Sequence, residues 1–118
     1  MTPTDITLNQ KTRELVMIWP TGETHTLTCE YLRVHSPSAE VRGHGPGQEK
    51  LQVGKENVNI VDIEPIGHYA IKLVFDDGHD SGLYDWNLLY DLGQHVDQYW
   101  RKYLAKLAAA GHQRQPSA

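Results

Sequence analysis

The sequence predicts an α+β domain: a mainly antiparallel sheet of five to six strands, a C-terminal amphipathic helix packed on it, and a short helical turn near residues 30–35. Two observations carry this prediction. Short apolar or alternating runs are separated by proline, glycine and aspartate, as in hairpin-connected strands. One long segment near the C-terminus instead repeats its apolar residues at three- and four-residue steps.

Ile6 and Leu8 alternate with polar neighbours, and Leu15-Val16-Met17-Ile18-Trp19 forms an apolar run closed by Pro20-Thr21-Gly22. Thr24, Thr26 and Thr28 alternate with His25, Leu27 and Cys29, the period-two pattern of a half-buried strand. These are three strands, with a hairpin across Gly22. The stretch 30–35 forms one or two helical turns before Pro37, because the residue preceding a proline is pushed out of the α region. Gly43-His44-Gly45-Pro46-Gly47 is a loop. Residues 58–63 and 70–75 are strands joined through Pro65-Ile66-Gly67-His68-Tyr69, short enough for antiparallel neighbours. A further short strand passes through Leu83. Asp85 is the N-cap of one helix carrying Trp86, Leu89, Val96, Trp100, Tyr103, Leu104 and Leu107, with Gly93 as the place for a bend and Gly111 as its end. Residues 1–112 read as one domain and 113–118 as a disordered polar tail.

Composition narrows the function classes. The chain has 118 residues, long enough to bury a core without a disulfide or metal as an obligatory staple. Eleven basic against 15 acidic side chains give a formal charge of −4, without the positive surplus that nucleic-acid binding requires. Protonating all seven histidines would carry that charge toward +3. Cys29 is the single cysteine, which rules out an intramolecular disulfide and a thiolate-rich zinc site and fits a reducing cytoplasm. The first residues, Met1-Thr2-Pro3-Thr4-Asp5, have neither a basic start nor an apolar stretch for export, and no run suits a membrane span.

The segment richest in chemistry runs from Asp76 to Trp86: an Asp76-Asp77-Gly78 turn after a strand, then His79, a short strand, and an aromatic helix start at Trp86 and Tyr90. Together with Leu32-Arg33-Val34 ahead of Ser36-Pro37-Ser38, this order resembles the N-terminal-like domain of gamma-butyrobetaine hydroxylase, over about residues 6–93. In bacteria that domain also occurs as a small free-standing protein of unknown function. In metal-binding members, a Cys-x-Cys-x-x-Cys segment after a leucine-arginine pair joins a histidine of the acidic turn around one zinc ion, and three thiolates with one imidazole close a tetrahedral shell. The resemblance puts that histidine at His79 and the cysteine positions at Ser36, Ser38 and Val41. All three thiolates are missing, so the inherited site is expected to be empty or rebuilt, with no resident cofactor.

Rebuilding would recruit His35 and His44, which flank the degraded segment, to join His79 in a three-imidazole site for zinc, nickel or iron. Alternatively, His79 hydrogen-bonds to a nearby carbonyl or carboxylate while His35 and His44 face water. Asp76, Asp77 and Asp80 offer oxygen ligands for a hard cation but lack calcium-loop spacing, and an aspartate-stabilised turn explains them better. A hydrolase reading takes His79 as general base, Asp77 or Asp80 to orient it, and Ser81 or Ser36 as nucleophile, although no Gly-x-Ser-x-Gly elbow is present. The oxygenase domain of the fused hydroxylase has no counterpart here. Cys29, on an alternating strand, reads as buried and inert.

Tyr84, Trp100 and Tyr103 read as core aromatics, with an exposed surface for a protein partner or a homodimer as the alternative. The Gly43 to Gly47 loop lacks the phosphate-cradling P-loop pattern. Related domains also occur attached to P-loop ATPases that carry iron-sulfur clusters. The resemblance therefore implies a non-catalytic accessory or protein-interaction domain linked to metal-cofactor metabolism, with a metal-binding protein built on His79 as the alternative.

Overall fold

A computed structural model describes residues 1–115 of the chain; residues 116–118, the end of the expected tail, lie outside the described residues. Among the described residues there are two three-stranded antiparallel sheets and four helices. The first sheet is the meander β1 (Asp5–Asn9), β2 (Glu14–Ile18) and β3 (Thr24–Thr28). The second is β4 (Ile60–Ile66), β5 (Ala70–Phe75) and β6 (Leu83–Asp85), also in sequential order. Between them lie α1 (Cys29–Val34) and α2 (Ala39–Arg42), and α3 (Trp86–Gln94) and α4 (Val96–Ala109) complete the described chain.

The single five-to-six-stranded sheet expected from the pattern is thus two sheets. Alternation reports which face of a strand is buried but not which strand it pairs with. The sheets meet through side-chain amides instead of a ladder: Gln10 Nε2 donates to the Ile60 carbonyl at 3.1 Å, and Asn59 Nδ2 donates to the Gln10 carbonyl at 2.9 Å. Their inner faces share one core, with Leu15, Met17 and Leu27 from the first sheet packed with Ile60, Leu73 and Phe75 from the second.

Local chemistry fixes the elements. The expected β2–β3 hairpin turns through Gly22 at φ +88°, a conformation costly for residues with a Cβ. Pro65, read as part of the connection, lies inside β4 opposite Ile71; β4 is an edge strand, where a missing N–H is tolerated. The Thr28 hydroxyl caps α1 by accepting from the Tyr31 amide at 3.0 Å, and the Asp85 carboxylate caps α3 by accepting from the Leu88 amide at 2.7 Å.

The expected continuous C-terminal helix is two helices. His95, at φ −123° and ψ 32°, leaves helical geometry between α3 and α4. Gly93, the expected bend, has a tertiary role: a Cβ there would lie 2.0 Å from His25 Nδ1, so the imidazole rests on bare backbone. His25 Nδ1 in turn accepts from Trp19 Nε1 at 2.9 Å. Beyond α4, Arg114 is anchored: its guanidinium donates to both carboxylate oxygens of buried Glu30, at 2.8 and 2.6 Å, and lies over the Trp100 ring. Among the described residues no helix is long and apolar enough to cross a membrane.

Candidate functional site

The end of α1 brings Ser36 and Ser38 against the segment that follows the β5 turn. Ser36 begins the loop beyond α1, and Ser38 caps α2, its hydroxyl accepting from the Glu40 amide at 3.2 Å. That short helix projects Glu40 back over the loop and buries Val41. From the other side, Asp77 Oδ1 accepts the His79 amide at 3.1 Å, an aspartate turn with Gly78 at φ +88°, and directs the His79 ring inward.

The result is a continuous hydrogen-bonded chain. His79 Nδ1 lies 2.9 Å from Glu40 Oε2, and His79 Nε2 lies 2.8 Å from Ser36 Oγ. A carboxylate only accepts, so Nδ1 carries the proton, and in the neutral ring Nε2 accepts from the Ser36 hydroxyl. Ser36 Oγ also accepts from the Ser38 amide at 3.2 Å. Beside this chain, Ser38 Oγ and Ser81 Oγ are 2.7 Å apart. Ser36, Ser38, Val41 and His79 are all buried, with Ser36 at 0% and His79 at 4% exposure. Ser36 thus meets His79, and Ser38 meets Ser81 beside it.

The turn is braced from outside. Asp77 Oδ2 accepts from Lys55 Nζ at 2.7 Å and from Arg33 Nε at 2.9 Å. Burial alone would raise its carboxyl, but Lys55, the His79 amide and Arg33 outweigh that and bring its pKa down to about 2. Asp76 Oδ1 accepts from the Asn59 amide at 3.0 Å. Both aspartates therefore act as turn-formers. Burial pushes the Cys29 thiol up to about 11, which leaves it protonated and inert.

Ser36, His79 and Glu40 have the connectivity of a hydrolytic triad, with Glu40 in the orienting place expected for Asp77 or Asp80. The arrangement is inverted in accessibility: the hydroxyl is sealed while the Glu40 side chain is 68% exposed. Gly82 closes the remaining side, since a Cβ there would lie 2.5 Å from Ser36 Oγ. A substrate carbonyl has no approach to that oxygen.

The three-imidazole alternative is not assembled. His35 sits in an aromatic cluster with Tyr31, Tyr99 and Tyr103, its Nδ1 donating to the Tyr31 carbonyl at 2.7 Å, and His44 is exposed on the loop. Among the described residues no group of three His, Cys, Asp or Glu side chains is arranged to hold a metal ion. The donors at the inherited position do not suit zinc either. One imidazole, two neutral hydroxyls and an aliphatic side chain lack the charge and softness of a thiolate shell, and both ring nitrogens already have protein partners.

Tyr84, Trp100 and Tyr103, read as core aromatics with a partner surface as the alternative, are mostly interior. Tyr84 is fully buried, its hydroxyl donating to the Leu32 carbonyl at 2.7 Å. Tyr103 is buried and donates to the Gln52 carbonyl at 2.7 Å, while partly buried Trp100 is covered by Arg114. Sequence reasoning missed Glu40 and Lys55, and it named Arg33 as a motif residue without foreseeing its bond to Asp77. Of the two missed residues Glu40 alone left a signal, as an acidic residue in the first turn of a helix beginning at the degenerate ligand segment.

The fold and site define a small α+β domain with a histidine-bearing acidic turn facing the loop after its first helix. The chain belongs to the family of gamma-butyrobetaine hydroxylase-like N-terminal domains, whose model matches residues 6–90. Two proteins with NMR solution structures are each 50% identical to it and cover 99% of its length, at TM-scores of 0.83 and 0.84; the chain covers 87% and 92% of theirs. A protein of unknown function from Acidithiobacillus ferrooxidans, of the DUF971 family, is 36% identical at a TM-score of 0.67, with 78% of this chain and 92% of that one covered. No curated protein matches the sequence.

Proposed function

We propose that this chain is a non-catalytic accessory domain acting through protein contacts, and that hydrogen bonding has replaced the ion held by thiolate-bearing relatives. The observation carrying this reading is His79, the family's histidine position: both ring nitrogens are engaged, one by Glu40 and the other by sealed Ser36, which stands where the family motif would put a ligand. A polar network with every donor and acceptor matched fixes a loop as an ion would, without needing one. Consistent with this, no buried side-chain nitrogen or oxygen among the described residues lacks a hydrogen-bond partner. The association of related domains with iron-sulfur ATPases extends the reading to metal-cofactor metabolism, with the domain as a contact surface and not as a carrier.

Elemental analysis of protein purified without an affinity tag tests this. The expected result is metal far below one equivalent per chain and a melting temperature unmoved by chelator. Near-stoichiometric metal that disappears in His79→Ala would overturn it in favour of a metal-binding protein.

A further inference from the structure

An open groove of about 910 Å³ runs between the 42–52 loop and the last two helices, bordered at one side by Ser36 and Val41 of the site already described. Its apolar lining includes Val34, Val41, Leu51, Leu92 and Tyr103. Arg42 and Lys50 stand on the loop side, and Lys102 and Lys106 on α4. None of these four cations forms an ion pair among the described residues. The two carboxylates lining the groove are Glu49 and Asp91, and Asp91 is already engaged by Tyr99 and His95. A chain of net charge −4 thus gathers unpaired positive charge along an apolar channel.

The cations are spread lengthwise. Lys102 and Lys106 are one turn apart, a rise of about 6 Å, with Tyr99 and Tyr103 on the same face of α4. A spacing of that kind matches carboxylates repeated along a chain better than one anion at a point. Burial, and after it the nearby charges of Lys106 and Arg42, hold His35, which also lines the groove, below its ordinary pKa.

We propose that this groove binds an acidic peptide segment of a partner protein, with apolar side chains seated between the loop and α4 and carboxylates meeting Arg42, Lys50, Lys102 and Lys106. The proposal rests on the accessory-domain reading and supplies its contact surface. Charge complementarity of this sort sets partner choice and makes binding salt-dependent.

The test is an amide NMR titration with a capped ten-residue peptide alternating glutamate with leucine and tyrosine. Its counterpart with lysine for glutamate and the small aromatic anion benzoate serve as comparisons. Saturable shifts at Arg42, Tyr99, Lys102 and Lys106 are expected for the acidic peptide alone, weakened at least about tenfold by K102E/K106E and unchanged by the remote K11E. A retained amide spectrum shows that the double variant is folded, and K102A/K106A is expected to give a smaller loss. Equal binding of the basic peptide, shifts located elsewhere, or benzoate binding as tightly at these residues would overturn the proposal, the last in favour of a small-molecule site. A partner protein held equally well by K102E/K106E would sink the groove while leaving the accessory-domain reading intact.

Discussion

Replacing Asp77 by asparagine isolates the brace that holds the His79 turn. Its carboxylate accepts from Lys55, Arg33 and the His79 amide, and its pKa falls from 3.8 to about 2. A carboxyl whose folded midpoint lies below its unfolded one stabilises the fold above the unfolded value, and that stabilisation is lost as pH falls through the folded value. The side chain is 22% exposed, so the shift converts to stability of on the order of 2 kcal/mol at pH 7. For a domain of this size that is a fall in melting temperature of about 8 °C. Urea unfolding of the parent and Asp77→Asn, at pH 7 and at pH 2, measures it. The gap should be near its full size at pH 7, begin to close below about pH 4, and shrink to a few tenths of a kcal/mol at pH 2. A gap of the same size at both pH values would refute the reasoning, because the loss would then come from shape and not from charge.

Gly93→Ala drives a Cβ into the His25 ring and should cost about 2 to 3 kcal/mol, with much less lost in a His25→Ala background; equal losses in both backgrounds would place the strain elsewhere. Arg114→Ala leaves the buried Glu30 carboxylate without its guanidinium and should lower stability by about 1 to 3 kcal/mol in thermal unfolding, with a change in Trp100 fluorescence; an unaltered melting temperature would show that the contact is idle. His35 is held below its ordinary pKa of 6.5 by burial and then by Lys106 and Arg42, so between those two midpoints the unfolded chain binds more protons. Stability should therefore decline as pH falls below about 6.5, and His35→Phe should flatten that part of the profile. A His35 ring titration by NMR with its midpoint at or above 6.5 would contradict this.

Much of the fold was legible because its signals are local. The Gly22 hairpin, the short helix before Pro37 and the Asp85 cap each rest on residues within one turn of one another. The two sheets are joined where Gln10 and Asn59 meet, 49 positions apart, and alternation carries no sign of which strands pair. The helix break at His95 was equally hidden, and the reason for Gly93 lies in His25 on another element. At the site, the resemblance located Ser36, Ser38, Val41 and His79, but which carboxylate would face the imidazole was a tertiary matter. Adjacent Asp77 reaches only the backbone of His79, while Glu40, 39 positions away, reaches its ring.

The most direct measurement is a long-range nitrogen-proton NMR spectrum of the His79 ring, recorded with chelator and again with one equivalent of zinc. The account predicts a proton on Nδ1 toward Glu40, with Nε2 held by the Ser36 hydroxyl, and no change on adding zinc. An Nδ1 without a proton, or an Nε2 signal that moves to a metal-bound position at one equivalent, would contradict it.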